Sequence, residues 1–341
     1  MKRFYPIFGL ALGIALGLVI AAIIGENPLD VMRIIFKSAF GSRYDFGVTL
    51  YYTTALIFTG LSVSVAFHAG LFNIGAEGQL AVGTLAASIF AITFPELPPL
   101  LAVPAVFLVA IFAGGFWGFV PGYLKAKRGS HEVINTIMMN FLAAALCSWA
   151  ITTHFQNPER QSPETSVVSA QYFFRAWDPL PVFFQDAPVS TAFFVAVLAA
   201  VGLWAFLFHT PLGFRIRATG ENEDAARVAG ISVAGCKKWA MFLAGSFAGL
   251  VALNEVFGGY GKMRLGFSPD FGFIGIAVAL LARSHPLGVL GTAFLFGALH
   301  KGAADLDIET DLITKDLSFV IQSLVILTVS VAIAFQERKR K

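Results

Sequence analysis

Apolar runs of about 20 residues, repeated along most of the chain, constrain its fold more than any other feature. A hydrocarbon layer roughly 30 Å thick takes about that many residues to cross as a helix. Inside it every backbone amide must be satisfied within the span, so the chain folds as a helix bundle in a membrane. Of its 341 residues 57% are hydrophobic and 13% charged, with a mean hydropathy of +0.73; a soluble domain carries about 25% charge. The net charge of +3 gives nucleic-acid binding no basis. Cys147 and Cys236 lie in unrelated contexts and point to neither a disulfide framework nor a metal site; they read as small packing residues.

The fold class is therefore all-α, a polytopic membrane protein of about ten transmembrane helices, with 1–341 forming a single transmembrane domain. The predicted spans are 4–24, 50–67, 80–94, 100–123, 133–151, 190–208, 239–257, 271–282, 287–303 and a tenth ending at Phe335. The first follows Met1-Lys2-Arg3, and its apolar stretch is longer than the roughly 7–15 residues of a signal-peptide core. An amphipathic helix is expected near 30–40, and Pro95-Glu96-Leu97-Pro98-Pro99 stops the third span. Residues 152–189 form the longest polar stretch, 209–238 a second, and 304–317 an acidic loop. Ten spans put both termini on one side. With them inside, the inner segments carry about 15 Lys/Arg and the outer ones about 9, as the positive-inside rule asks. Both termini and the 209–238 loop are then cytoplasmic, and 152–189 is the periplasmic loop.

Between the second and third spans lies Gly70-Leu71-Phe72-Asn73-Ile74-Gly75-Ala76-Glu77-Gly78-Gln79-Leu80. It sets two amides and a carboxylate among glycines at membrane depth, where polar groups are rare and functional by default. Irregular backbone at that depth is tolerated only inside protein or beside a water-filled cavity, so the segment is expected to line a substrate pathway. The fifth span carries Asn135, Thr136 and Asn140 among apolar residues. A related patch, Leu265-Gly266-Phe267-Ser268-Pro269-Asp270-Phe271-Gly272, follows span seven as the first patch follows span two. Interrupted hydrophobic segments at matching places predict an inverted repeat of helices 2–5 and 7–10 with a midplane path.

In the 209–238 loop, Thr219-Gly220-Glu221-Asn222 at its start, acids in the first turn and Gly230 at its end predict a short helix over about 221–229. Ala225, Ala226 and Ala229 give it a small, smooth face suited to a groove on a partner. This loop, the Asn73-Ile74-Gly75-Ala76-Glu77-Gly78-Gln79 run and His131-Glu132-Val133-Ile134-Asn135-Thr136-Ile137-Met138-Met139-Asn140 together resemble the permease subunits of bacterial ABC importers. The likeness is to the ribose- and nucleoside-type branch, and within it to the nucleoside (basic membrane protein-dependent) systems. It runs from the second helix to the tenth, and the first 40 residues carry little of it.

The resemblance implies a ten-helix inverted repeat in the bacterial inner membrane. It implies that Asn73, Glu77, Gln79, Asn135 and Asn140 border the substrate pathway. Gly220, Glu221, Asn222, Ala225, Ala226, Ala229 and Gly230 then couple the chain to an ABC ATPase, the segment 221–231 seating in a cleft of that subunit. The remaining implied partners are a second permease chain, as a heterodimer, an extracytoplasmic substrate-binding protein and a small polar solute. The solute is nucleoside-like, with a simple sugar or riboflavin as alternatives. No catalytic residue, metal site or cofactor is expected in this chain, ATP and Mg²⁺ belonging to the ATPase. Its nearest approach to a P-loop, Gly258-Gly259-Tyr260-Gly261-Lys262-Met263, ends in Met where a hydroxyl is needed. No His-Glu-x-x-His motif is present, and His131 and His285 stand singly in loops. A self-sufficient ion-coupled transporter using Glu77 as its cation or proton site is the reading of a different class.

Overall fold

The order of helices follows from where polar residues cap apolar runs. The computed structural model describes residues 5–174, 178–310, 312–313, 320, 323–325, 327–328 and 331–332, and side chains from residue 8 onward. The tenth span with its end at Phe335 lies largely outside these residues. Helix α1 covers Tyr5–Ile24, and the amphipathic α2 covers Pro28–Phe40. Asn27 caps α2 by accepting from Leu29 N at 3.0 Å, and Pro28 supplies the first helical position. Helix α3, Arg43–His68, starts seven residues before the expected span because Ser42 accepts from Asp45 N at 3.0 Å and so caps it. Its 26 residues reach about 39 Å.

Helices α4 (Ala76–Thr93), α5 (Pro99–Arg128) and α6 (Glu132–Ala150) follow, α6 running on through a π-helical turn at Ile151–Phe155. A five-residue helix, α7 (Pro179–Phe183), precedes α8 (Ala192–His209). The 209–238 loop holds two helices, α9 (Pro211–Glu221) and α10 (Glu223–Val228), where one was predicted over about 221–229. Thr210 starts α9 by accepting from Gly213 N, and Asn222 separates the pair by capping α10 on Asp224 N and Ala225 N. Glu221 therefore ends one helix instead of opening the next. Helix α11 (Val233–Gly249) begins six residues early, where Ser232 caps it by accepting from Gly235 N at 3.2 Å, and its buried Lys237 is neutralised by Glu223 at 2.5 Å. It is prolonged by a π-helical segment at Leu253–Tyr260, and α12 (Phe271–Leu281) and α13 (Pro286–Glu309) close the described chain.

Seven of the described helical stretches are long and apolar enough to cross a membrane, with α1 and α12 as shorter apolar helices. Among the described residues the only β structure is two isolated bridges, so the chain is an all-α, multi-pass membrane protein. Its centre is α3, buried along most of its length, against α11, α12 and α13. Helices α5 and α11 meet through small residues: a Cβ on Gly114 would lie 2.4 Å from Gly245 O, and one on Gly245 2.1 Å from Gly114 O. Only glycine lets two backbones approach this closely, the usual basis of helix association in lipid.

Part of the polar 152–189 stretch pairs with the chain after α11. Thr165 N donates to Met263 O and Leu265 N to Pro163 O, both at 2.9 Å, and Lys262 reaches Glu164 at 2.7 Å. That lysine holds the Glu164 carboxyl below its ordinary pKa.

Candidate functional site

Residues 69–75 leave α3 and return into the bundle. Gly70 takes φ +70°, and Leu71 N donates back to Ala66 O, a glycine stop to a helix. The chain from 71 to 74 has no regular structure, with α4 starting at Ala76. That start lies deep in the bundle. Gln79 abuts Gly118, whose Cβ would sit 3.2 Å from Gln79 Nε2, about 15 Å along α5 from its end at Arg128.

The polar side chains of the run hold this turn. Asn73 and Gln79, both buried, exchange two amide hydrogen bonds at 2.9 and 3.0 Å. Asn73 Oδ1 also accepts from Gly75 N at 3.0 Å, and its Nδ2 donates to Ser62. From α6, Asn140 brackets the turn, accepting from Gly78 N at 2.8 Å and donating to Ile74 O at 2.9 Å. With these groups satisfied, irregular backbone survives at membrane depth. Asn140→Leu strands Gly78 N–H and Ile74 O, at about 1–3 kcal/mol for each buried group. The detergent-purified variant is expected to unfold several degrees below the parent, and an unchanged midpoint would refute the bracketing role.

Glu77 joins this turn to the second patch. Its Oε2 accepts from Gly272 N at 2.7 Å, and its carboxylate also bonds the Ser268 side chain. The carboxylate thus sits in the first turn of α4 and caps α12, favourable at both helix starts. Gly272 has no room for a side chain: a Cβ would lie 2.3 Å from Glu77 N. Helix α12 also begins inside the bundle, with Phe271 beside Tyr52 and Gly275 against Thr59, both on α3. The two interrupted patches therefore meet. Next to their junction is a cleft of about 350 Å³. It is lined by Glu77, Gly78 and Ala81 of α4, Asn140, Ala144, Cys147 and Ser148 of α6, and Met263, Leu265, Gly266, Phe267 and Ser268.

Asn135 is not part of this cluster. It donates to Ser130 Oγ at 2.6 Å near the start of α6, and five residues of helix turn it about 140° from Asn140. In the 209–238 loop, Gly220 presses on the turn that leads to the cleft: a Cβ there would lie 2.3 Å from His68 O and 2.8 Å from Gly70 N. A recess of about 410 Å³ bounded by Arg217, Glu221 and Arg283 opens beside it. Of the three alanines expected on one smooth face, Ala226 is buried, while Ala225 and Ala229 are exposed with Val228. The helix is one turn shorter than expected, and Ala226 faces the body of the loop. Gly230, at φ +75°, ends it.

One buried polar group was not singled out from the sequence. Tyr51 of α3 donates to Glu255 Oε2 at 2.5 Å. Asn254 Nδ2 donates to Glu255 Oε1 at 3.1 Å and to Tyr51 O at 3.2 Å. All three are buried, and Asn254 and Glu255 lie in the π-helical extension of α11. The signal was present, since Asn254-Glu255 interrupts the apolar run of the seventh span.

Amides and carboxylates are costly inside hydrocarbon and are kept where something polar must pass, so the chain is of the permease class. It belongs to the family described as the branched-chain amino acid transport system / permease component, whose profile matches residues 47–330. It is 35% identical to the nucleoside ABC transporter permease protein NupB of Lactococcus lactis subsp. cremoris, across 97% of this chain and 91% of the relative. The guanosine ABC transporter permease protein NupP of Bacillus subtilis is 34% identical, with 95% and 92% covered. The glucose ABC transporter permease protein TsgB13 of Haloferax volcanii is 32% identical, with 94% and 85% covered. The chain is a permease subunit of an ABC importer.

Proposed function

We propose that this chain forms half of the path for a nucleoside, with its ATP hydrolysed in a separate ATPase subunit that seats on α9 and α10. The observation that carries the reading is the backbone contact of Gly220 with His68 and Gly70. Movement of the 209–238 loop passes through it to the 69–75 turn, and from there to the Glu77–Gly272 junction and the cleft. In this reading the chain sits in a bacterial cytoplasmic membrane with both termini and the loop on the inner face. The second to fifth and seventh to tenth of the spans expected from the sequence form an inverted repeat, a second permease chain completes the path as a heterodimer, and an external binding protein delivers the solute. NupB and NupP, named for nucleoside and guanosine, favour a nucleoside, and TsgB13, named for glucose, supports a sugar as the second reading. Hydrogen bonds from Gly272 and Ser268 give the Glu77 carboxylate a structural task that needs no coupling ion.

The test is co-purification. The ATPase is expected to accompany the parent chain and to be lost when 221–231 is replaced by Gly/Ser. Uptake by the chain alone in liposomes, driven by a pH gradient without ATP, would overturn the reading.

A further inference from the structure

Arg215 and Arg217 stand two residues apart on α9, about 200° around the helix, and meet different surroundings. Arg217 lies over the Phe208 ring and donates to Leu207 O at 3.0 Å. The exposed Arg215 guanidinium has no hydrogen-bond or ion partner among the described residues. It lines instead a groove of about 490 Å³. Phe206 of α8, Leu212 and Ile216 of α9, and Trp239, Phe242 and Leu243 of α11 form the apolar wall of that groove.

Its position places it at the edge of the hydrocarbon. Helices α8 and α11 both belong to stretches that cross the membrane, and the groove lies where one ends and the other begins. Trp239 and Leu212 are exposed there, and tryptophan is a residue of the membrane interface. The charge of the groove is one-sided. Arg215 is the only charged residue lining it. The acids of α10 are engaged elsewhere, Glu223 by Lys237 and Arg227, and Asp224 by Arg227. Ser232 and Gly235 bring the start of α11, the positive end of a 17-residue helix, to the same wall.

We infer that this groove holds an anionic phospholipid from the leaflet on the side of the 209–238 loop. Its phosphate pairs with Arg215, whose planar guanidinium offers two parallel N–H donors to phosphate oxygens. Its acyl chain runs over Phe206, Ile216 and Phe242 and covers apolar surface that nothing else in the chain covers. A zwitterionic lipid offers the same chain, but its own cation competes with Arg215 for the phosphate. The bound lipid touches α8, α9 and α11 together, so it braces α9 on the side away from the recess of Arg217 and Glu221.

The test uses phosphatidylglycerol and phosphatidylcholine carrying the same photoactivatable acyl chain. Each is present as a trace in phosphatidylcholine nanodiscs that hold the full complex, without ATP or solute, and the crosslinked peptides are identified by mass spectrometry. The phosphatidylglycerol probe is expected to label α9 and the first turns of α11 at least ~5-fold more than its counterpart. Arg215→Gln brings the two probes level. Arg128→Gln keeps the preference: it removes an exposed arginine from the same end of the bundle, where a Cβ on Gly122 of α5 would lie 3.3 Å from Lys237 O. Cys236→Phe fills the groove and removes the labelling there. Unlabelled phosphatidylglycerol competes, and inorganic phosphate does not. The inference is overturned if both probes label alike, if the preference survives Arg215→Gln, or if inorganic phosphate competes as well as the lipid. It is equally overturned if a neighbouring subunit covers the groove and neither probe enters. Crosslinking needs no transport, so its failure leaves the importer reading standing.

Discussion

Gly220→Val is expected to reduce ATP-driven uptake at least about tenfold while the complex still assembles. The valine Cβ would sit 2.3 Å from His68 O, 2.8 Å from Gly70 N and 2.9 Å from His68 C. All three are backbone atoms, so no side chain can rotate away. Gly70, at φ +70°, is itself a stop that the chain cannot readily reshape. Relief comes from lifting α9 off the turn. Overpacking of this kind costs about 1–3 kcal/mol, and about 1.4 kcal/mol is a factor of ten in an equilibrium. The lifted loop still offers Ala225, Val228 and Ala229 to an ATPase but no longer moves the 69–75 turn. Basal ATP hydrolysis is therefore expected to persist and its stimulation by the loaded binding protein to vanish. Gly202→Ala on α8 is the control, since a Cβ there meets nothing within 4 Å. Full uptake by Gly220→Val would sink the proposed mechanical link.

The second large effect is expected at Tyr51. Tyr51→Phe removes the donor to Glu255 Oε2 and leaves a buried carboxylate oxygen in the bundle without it. An unmade bond of this kind costs about 1–3 kcal/mol, and more where the group is charged. The protein in detergent should unfold at a clearly lower temperature. Glu255→Leu added to Tyr51→Phe replaces both partners by apolar groups and should regain most of the loss, because Asn254 keeps its bond to Tyr51 O. The cycle of single and double variants gives the coupling directly. Independent, additive losses would show that Tyr51 and Glu255 do not act as a pair.

Much of the bundle was legible in the chain because membrane spans are a one-dimensional property. Length and apolarity mark them, and Pro95–Pro99, Gly70 and Gly129 punctuate them. The polar run at 70–80 was legible for the same reason, as an interruption of apolar sequence. The tasks of its members were not. Asn73 and Gln79 read as pathway residues, yet they bond each other. Asn135 and Asn140 share a motif, yet helical rotation separates them. The burial of Lys237 on α11 depended on its finding Glu223, fourteen residues away across a helix break.

By itself, then, the sequence determined an all-α membrane chain and the places where its spans break. Each of these rests on local quantities: hydropathy, helix caps and glycine. Only the tertiary structure decided that the breaks at 70–80 and 265–278 meet through Glu77 and Gly272, that Gly220 bears on Gly70, and that Tyr51 pairs with Glu255 204 residues away. Buried polar atoms in a bundle must find partners wherever the packing brings them, and one-dimensional spacing does not say which helices become neighbours.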